Sequence, residues 1–327
     1  MITVFAPVSI GNFSVGFDLL GLAIAPIDGE LLGDIVQVEA ADSYDLSISG
    51  AYADVLPADK ASNLVTLAYK LYMQKMAEKA LPTTSLKLHL MKNLPVGSGL
   101  GSSSSSSVAA LYALNCYFNN ALSIDELLEL AGRLEGEVSG SVHYDNVAPC
   151  LLGGLQLMTN YPPQPCVSLP FPETWQLIVS YPGIEISTKK ARDLLPKQID
   201  LATAIQFSQN LSVFVHALHN FDEELAASAL FDVIAEPKRK SLIAGFDAYR
   251  DYAKSMGAIA FGISGSGSTV FAISNDAEVS NKIQNYALSH FCQKDGFSYI
   301  CRVDNLGVRQ IEDFGDNQTN EENYEIT

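Results

Sequence analysis

The chain contains 327 residues, 48% of them hydrophobic and 17% charged, a balance typical of a globular protein large enough for two domains. Its formal net charge of -17 argues against nucleic acid and anionic membrane surfaces as partners, because both would be repelled, and no apolar run approaches the length of a membrane span. We expect a cytoplasmic protein, because the first residues do not resemble a signal peptide and the five cysteines are scattered without CxxC spacing, as free thiols would be.

The first predicted element is a strand that leads into a glycine-rich loop at residues 11–21. Asn12 and Asp18 lie in this loop, where polar side chains often bond their own backbone. Asp18 stands between Phe17 and Leu19, however, and a buried carboxylate needs a partner. Two interpretations stay open at this point: Asp18 is a turn former, or it is a carboxylate aimed at a cationic group of a ligand.

Residues 34–50 alternate well enough for one or two strands, and residues 62–79 predict an amphipathic helix with a solvated charged face. The apolar positions that we place on one side of this helix are Leu64, Leu67, Leu71 and Met76.

The most informative stretch is PVGSGLGSSSSSS, residues 95–107. An alternating strand pattern at 86–90 precedes it, and an apolar run at 108–118, long enough for a buried helix, follows it. Glycines between a strand and a helix N-terminus can take positive φ and let backbone N–H groups approach a ligand. The first N–H groups of a helix lack intrahelical partners and carry partial positive charge, so the stretch predicts a phosphate site.

Three other interpretations of this stretch fit less well. No lysine follows the glycines as in a Walker loop, and Ser102 stands where the dinucleotide fingerprint requires its last glycine. A flexible Gly/Ser linker would not normally lead straight into an apolar helix.

A helix is predicted to begin after Ser123, because Ser123 and Glu126 form a capping-box pattern. Glu135 ends an apolar row along this helix that consists of Ile124, Leu128 and Ala131. Glu135 either emerges from the core at the helix end or faces a bound cation. Beside a phosphate loop that cation would be Mg²⁺, which binds carboxylate and phosphate oxygens.

A polar cluster follows at residues 141–149, with His143, Asp145 and Asn146. One histidine and one aspartate are too few for a zinc site. A Ser-His-Asp hydrolase is disfavoured, because the chain has no GxSxG nucleophile elbow.

The proline-rich piece at residues 161–173 is the best domain boundary. We therefore predict an N-terminal domain over 1–163, a C-terminal domain over 164–311, and an acidic, disordered tail over 312–327.

The second half of the chain predicts an α+β arrangement with an antiparallel sheet. Strands are expected at 174–182, on both sides of the loop at 265–268, and at 297–303. Helices are expected at about 201–219, 222–235, 241–256 and 277–291, together with a short helix that Thr188 caps and that carries Arg192. Arg192 and Arg239 are either ordinary surface arginines or bidentate ligands for a carboxylate or phosphate.

Three motifs of the chain resemble motifs of one family, the GHMP kinases. FAPVSIGNFSVGFDLLG is similar to the first motif of this family, PVGSGLGSSSS to the second and GISGSGSTVFAI to the third, in the family's order. The resemblance extends from about residue 3 to about residue 308. It implies a two-domain α+β fold, with a left-handed βαβ unit in the N-terminal domain and a ferredoxin-like C-terminal domain.

Further segments, SVHYDNVAPCLLGG, STKKARDLLP and VIAEPKR, resemble the members that phosphorylate the side-chain hydroxyl of L-homoserine with ATP and Mg²⁺. This resemblance implies a small-molecule substrate and suggests a homodimer. Another alcohol as acceptor remains the nearest alternative. A catalytically inactive metabolite sensor with the same fold is the alternative of a different class.

The resemblance also implies roles for individual residues. The ATP phosphates would bind to Pro95, Val96, Gly97, Ser98, Gly99, Leu100, Gly101, Ser102, Ser103, Ser104 and Ser105. Ser103 and Glu135 match the positions that hold Mg²⁺. The positions around homoserine match Asn12, Asp18, His143, Asn146, Arg192 and Arg239.

Asn146 stands where several family members carry an aspartate general base, and an amide cannot accept a proton. We therefore expect Asn146, Ser103 and Glu135 to act by positioning and charge neutralisation, which suits a loose phosphoryl-transfer transition state. Neighbouring Asp145 is an alternative base, for which a structural role is favoured. Two departures from the family pattern concern loop rigidity: Ser268 replaces a proline, and serines at 104–107 replace an alanine-rich helix start.

Overall fold

The computed structural model describes residues 1–140, 142–161 and 164–312. Almost all of the predicted acidic tail lies outside these residues. None of the helices within the described ranges is both long and apolar enough to pass through a lipid bilayer.

Five strands and four helices form most of the N-terminal half. The strands are β1 (Ile2–Gly11), β2 (Leu20–Pro26), β3 (Gly33–Ala40), β4 (Asp45–Ser49) and β5 (Leu86–Met91). The helices are α1 (Leu64–Glu78), α2 (Ser102–Tyr117), α3 (Ile124–Ser139) and α4 (Val147–Leu152). The strand order is β4-β5-β3-β1-β2, and α2 packs on β3 and β1. The prediction of one or two strands at 34–50 is confirmed, with two strands present, as are the predicted strand and helix on either side of the glycines.

Strands β4 and β5 run parallel, and α1 lies between them in the sequence. They form the βαβ unit that the family resemblance implies, because parallel neighbours require a crossover connection. The left hand of this crossover stays a prediction.

A hairpin of β6 (Leu155–Tyr161) and β7 (Gln164–Leu169) occupies the proline-rich region. Strand β6 also pairs with β2, so this region joins the sheet. The predicted domain boundary after residue 163 falls between the two paired strands; the domain limits themselves stay a prediction.

The C-terminal half contains four antiparallel strands and one short strand that returns to β1. The strands are β8 (Gln176–Tyr181), β9 (Ala260–Ile263), β10 (Val270–Ser274), β11 (Phe297–Val303) and β12 (Arg309–Gln310). The helices are α5 (Thr188–Asp193), α6 (Leu201–His219), α7 (Glu223–Ala229), α8 (Glu236–Arg239), α9 (Phe246–Ser255) and α10 (Ala277–Tyr286).

The order β11-β8-β10-β9 places the fourth strand of this half next to the first, and the third next to the second. With helices after β8 and after β10, this is the βαββαβ topology of a ferredoxin-like domain, as expected. Strand β11 pairs in turn with β2, so one hydrogen-bonded sheet continues through both halves.

The apolar face of α1 differs from the prediction. The buried positions are Val65, Ala68, Tyr72 and Met76, whereas the three leucines named above are only partly buried. Tyr72 decides the orientation, because its ring is fully buried and its hydroxyl donates to Asn115 Oδ1 at 3.0 Å. Along α3, Leu128 and Ala131 are buried as predicted, whereas Ile124 is exposed at the helix start.

Two predicted helix limits in the C-terminal half are wrong. The helix at 222–235 ends at Ala229, because the Asp232 carboxylate accepts the backbone N–H groups of residues 234–236 and starts α8 instead. The helix at 241–256 begins only at Phe246, after Gly245 with φ of +81°.

The cap of α5 is Ser187 rather than Thr188. The Ser187 hydroxyl accepts the backbone N–H of Lys190 at 3.5 Å, and Thr188 is the first helical residue. The serine precedes the helix by one position, which is where a capping side chain reaches the free N–H groups.

Candidate active site

A cavity of ≈ 470 Å³ lies where the glycine loop, α3, residues 143–146, α5 and the turn at 265–266 meet. Most of the predicted site residues line it: Asn12, Asp18, Val96, Gly97, Ser98, Gly99, Gly101, Ser102, Ser103, Glu135, His143, Asn146, Arg192 and Arg239. The structure therefore brings together residues from both halves of the chain.

The glycine loop has the backbone that the sequence predicts. Gly97, Gly99 and Gly101 have φ values of +62°, +84° and +65°. At Gly101, directly before α2, an added Cβ would lie 2.3 Å from the Ser9 hydroxyl, so only glycine fits. No side chain caps the N-terminus of α2, which leaves its first N–H groups for an anion.

The C-terminal half holds the carbonyl groups of this loop. The Gly97 and Ser98 carbonyls accept the backbone N–H groups of Ile186 and Thr269, each at 2.9 Å. The Ser264 hydroxyl donates to the Gly99 carbonyl at 2.6 Å. The negative ends of these peptide dipoles are therefore satisfied within the protein.

Four of the residues assigned to ATP do not line the cavity: Pro95, Leu100, Ser104 and Ser105. The Ser105 hydroxyl is buried, donates to the Ala6 carbonyl at 2.8 Å and accepts the Asp34 N–H at 2.9 Å. Ser104 donates to Glu135 instead. The side chains of Ser104 and Ser105 thus connect α2 to neighbouring elements.

Glu135 faces the start of α2 from the last turns of α3. Its Oε2 atom accepts the hydroxyls of Ser103 at 3.2 Å and Ser104 at 3.3 Å. Burial raises the pKa of Glu135, and these two hydrogen bonds oppose the shift. The Glu135 carboxylate thus lies beside the first turn of α2 and the Ser103 hydroxyl, which favours the metal-facing interpretation over the core-edge one.

Ser103 and Glu135 fit Mg²⁺ as far as their donor atoms are concerned, because both offer hard oxygen ligands. Among the described residues, no group of three or more His, Cys, Asp or Glu side chains could hold a metal ion alone. An ion at this point would therefore depend on phosphate oxygens and water for most of its coordination, as is usual for Mg²⁺.

Asp18 is paired with a cation of the protein itself. Arg192 Nη2 donates to both carboxylate oxygens of Asp18, at 3.0 and 3.3 Å. The backbone of Asp18 has φ of +56°, and its N–H donates to Asn12 Oδ1 at 2.8 Å. The cationic group that Asp18 faces is therefore Arg192 of the protein, and a role of Asp18 towards a ligand stays a prediction.

Arg239 is almost fully buried, with 3% of its surface exposed. Its guanidinium donates to the carbonyls of Gly265 at 2.8 Å and Ala191 at 3.4 Å, and lies 5.3 Å from the Phe17 ring centre. Burial lowers the pKa of Arg239, and the negative charge of Asp18 opposes this. Asn12 Nδ2 donates to the same Gly265 carbonyl, so this carbonyl accepts hydrogen bonds both from Arg239 and from the glycine-rich loop at residues 11–21.

Asn146 is oriented from both sides. Ser9 Oγ donates to Asn146 Oδ1 at 3.0 Å, and Asn146 Nδ2 donates to Asp145 Oδ2 at 3.2 Å. The segment lies so close to β2 that a Cβ on Gly21 would be 1.8 Å from the Asp145 carbonyl oxygen. The amide is therefore held in one orientation at the cavity wall.

Burial raises the pKa of Asp145 to about 7, and the negative charges of Asp18 and Glu135 add to this shift. His143 shows the opposite direction: burial lowers its pKa, while Asp18 raises it and Arg192 lowers it further. The cavity is thus lined by four carboxyl groups, those of Asp18, Glu135, Asp145 and Glu185, together with the guanidiniums of Arg192 and Arg239 and the His143 imidazole.

Sequence reasoning did not single out Lys92, Asp34 or Ser264. Lys92 lines the cavity directly before the glycine loop, and its position between a strand and that loop was the available signal. Asp34 lies in an ordinary strand, and nothing in its local sequence indicates its role.

Comparison with known proteins identifies two matching family descriptions. Residues 63–154 match the "GHMP kinases N terminal domain" and residues 214–292 match "GHMP kinases C terminal". The homoserine kinase of Cytophaga hutchinsonii is 35% identical, with a TM-score of 0.86 over 95% of this chain and 97% of that chain.

A provisionally assigned homoserine kinase from Listeria monocytogenes is 25% identical over 96% of this chain and 100% of that chain, with a TM-score of 0.71. The mevalonate kinase of Methanococcus jannaschii shares the fold at 15% identity, with a TM-score of 0.68 over 93% of this chain and 98% of that chain. These similarities confirm the two-domain α+β architecture that the motifs implied.

Proposed function

The chain belongs to the GHMP kinase family, and we propose that it transfers the γ-phosphoryl group of ATP to the side-chain hydroxyl of L-homoserine, giving O-phospho-L-homoserine. As the family implies, ATP is the phosphate donor. The acceptor and the Mg²⁺ dependence are the parts that we propose.

The observation that carries the acceptor assignment is the charge arrangement of Asp18, Arg192 and Arg239 in the cavity that holds the glycine loop. A free α-amino acid carries one carboxylate and one ammonium group. Two guanidiniums suit the carboxylate, because arginine binds carboxylates bidentately, and Asp18 suits the ammonium. Asp18 and Arg192 already contact each other, so the opposite charges that a zwitterionic acceptor would engage lie side by side in the cavity. The similarity to the Cytophaga hutchinsonii homoserine kinase supports the same acceptor.

The glycine loop and the N-terminus of α2 bind the phosphates of ATP in this proposal. Backbone N–H groups and the helix dipole supply a local positive field for the phosphates in a protein of net charge -17. Ser103 and Glu135 would hold Mg²⁺, which when bound neutralises charge on the phosphate oxygens.

Asn146 orients the acceptor hydroxyl. Its amide cannot accept a proton, and its orientation is fixed by Ser9 and Asp145. The chain therefore acts mainly by positioning the two substrates, which is sufficient for a loose transition state in which the hydroxyl proton passes to the phosphoryl group. Asp145 acts by orienting the Asn146 amide.

The test is ATP consumption by the purified protein with Mg²⁺ and L-homoserine, compared with L-threonine, L-serine and mevalonate. We expect turnover with L-homoserine and a loss of at least about 100-fold in kcat/KM in Arg239→Ala, a change of about 2.7 kcal/mol in transition-state binding. Arg302→Ala, which removes an exposed arginine from β11, is the matched control and should be unaffected.

Two outcomes would contradict the proposal. Turnover with a different alcohol keeps the kinase and replaces the acceptor. ATP binding without turnover of any acceptor favours the sensor alternative. The homodimer implied by the family is a separate proposal, which sedimentation equilibrium of the full chain would test.

A further inference from the structure

A buried ion pair lies beneath the glycine loop. Lys92, the first residue after β5, and Asp34, the second residue of β3, are 2% and 0% exposed. Lys92 Nζ and Asp34 Oδ2 are 2.5 Å apart. Burial lowers the pKa of Lys92, and the charge of Asp34 opposes this shift.

Each oxygen of the Asp34 carboxylate serves a different end of the loop. Oδ1 accepts the backbone N–H groups of Asn93 at 2.9 Å and Leu94 at 3.1 Å, the two residues that lead into the loop. Oδ2 accepts the hydroxyl of Ser106 in the second turn of α2, which follows the loop.

The Lys92 ammonium adds further links to the loop exit. It lies 2.6 Å from the Ser102 hydroxyl, 3.1 Å from the Ser102 carbonyl oxygen and 3.1 Å from the Ser106 hydroxyl. Ser102 is the first residue of α2, and its hydroxyl also donates to the carbonyl of Leu94 at 3.3 Å. The pair therefore connects residues 93–94 on one side of the loop with residues 102 and 106 on the other.

A buried ion pair is a poor way to gain stability, because the desolvation of both charges offsets much of their attraction. The side-chain hydrogen bonds of Lys92 and Asp34 go almost entirely to residues at the two ends of the glycine loop. We infer that Lys92 and Asp34 are positioning residues that fix the entry and exit of the phosphate-binding loop and thereby preorganise it for the triphosphate of ATP. This inference deepens the proposed function and rests on it.

The pair acts through the backbone of residues 93–94 and through Ser102. The entropic cost of ordering the loop is met during folding rather than on nucleotide binding, which raises affinity. Loss of the pair should therefore weaken ATP binding without changing the homoserine side of the cavity.

The principal test is the double variant Asp34→Asn/Lys92→Met, which removes both charges and keeps both side-chain volumes. A single variant would leave one buried charge unpaired and is prone to misfolding. The matched control is Glu278→Gln/Lys282→Met, which removes an exposed ion pair of α10.

We expect the double variant to bind MgATP at least 10-fold more weakly by calorimetry without acceptor, and its KM for ATP to rise by the same factor. Its KM for L-homoserine should stay within about twofold, its melting temperature should be retained, and hydrogen exchange at the amides of residues 97–101 should be faster. The control should bind MgATP like the wild type. An ion pair that only stabilised the packing would not weaken MgATP binding while leaving the KM for L-homoserine unchanged.

Unchanged MgATP affinity and unchanged loop exchange in a folded double variant would overturn the inference. If the double variant does not fold, Ser106→Ala is the test variant, because it removes the two hydrogen bonds between Ser106 and the pair and keeps both charges. We then expect MgATP affinity to fall about threefold or more with an unchanged KM for L-homoserine, and equal effects on both substrates would overturn the inference. A wild-type protein that binds MgATP but does not phosphorylate L-homoserine would overturn the proposed function alone.

Discussion

The Arg192 guanidinium donates to both oxygens of Asp18, a residue 174 positions earlier in the chain, at 3.0 and 3.3 Å. The contact joins α5 of the C-terminal half to the N-terminal glycine-rich loop. It places an anionic and a cationic group at adjacent points of one cavity, which is the pattern that a zwitterionic amino acid would match.

Asp18→Asn tests this arrangement. Asparagine tolerates the left-handed backbone at this position, so the loop should be preserved. Loss of the charge should raise the KM for L-homoserine by about 10- to 100-fold, because one partner of a half-buried charge pair is removed, and leave the KM for ATP nearly unchanged. Steady-state kinetics with each substrate varied will measure this, with Asp251→Asn, an exposed ion-pair partner, as control. Equal increases in both KM values would argue against a role in acceptor binding.

Glu135→Gln tests the metal assignment. The amide keeps the shape and removes the charge that Mg²⁺ prefers, so kcat should fall by about 100-fold or more and the Mg²⁺ concentration needed for half-maximal rate should rise. Glu129→Gln on the same helix is exposed and should behave like the wild type. A Glu135→Gln enzyme with normal kcat and normal Mg²⁺ dependence would remove Glu135 from the metal site.

Asp145→Asn separates positioning from general-base catalysis. An asparagine at this site can still accept the hydrogen bond from Asn146, so we expect kcat to fall by less than the roughly 100-fold that loss of a general base causes. A larger fall at pH 8, with the fold intact by circular dichroism, would identify Asp145 as the base and Asn146 as its support.

The pH dependence of stability gives a second prediction for Asp145. Its pKa is raised to about 7 in the folded protein, so the folded state binds this proton more tightly than the unfolded state does. The stability that comes from tighter proton binding at Asp145 is fully present below about pH 4, the pKa of an aspartate in the unfolded chain. It is lost as the pH rises to about 7, the pKa of Asp145 in the folded protein. Asp145→Asn should therefore be more stable than the wild type at pH 8, by at most ~4 kcal/mol, and the difference should shrink towards pH 4. Urea unfolding at both pH values will measure this difference. A difference that does not change with pH would mean that Asp145 ionises normally.

The sequence predicts those parts of the fold and site that depend on nearby residues. Strand β5, the glycine loop and the helix after it follow from periodicity and from glycine at positive φ, and the Ser123 capping box forms as expected. Helix limits failed where a side chain acted across a turn, as Asp232 does for the start of α8. No periodicity signals such a cap.

Contacts between residues that are far apart in the sequence could not be predicted from local sequence patterns. Lys92 and Asp34 are 58 residues apart and meet only because β3 and β5 are neighbours in the sheet. The acceptor-binding role predicted for Arg239 rests on the family resemblance, since its burial against Gly265 and Ala191 leaves no mark on the local sequence.

The pairing of β2 with β11 constrains how this enzyme could be rebuilt. Pro26, Ala25 and Ile24 lie opposite Cys301, Arg302 and Val303 in one register, so the two halves share backbone hydrogen bonds as well as side-chain contacts. A chimera that takes its C-terminal half from another family member must reproduce this register, because a slip of one residue would turn every side chain of β11 to the opposite face. Exchange of acceptor specificity between relatives is therefore better attempted in the loops around the cavity than by exchange of whole halves.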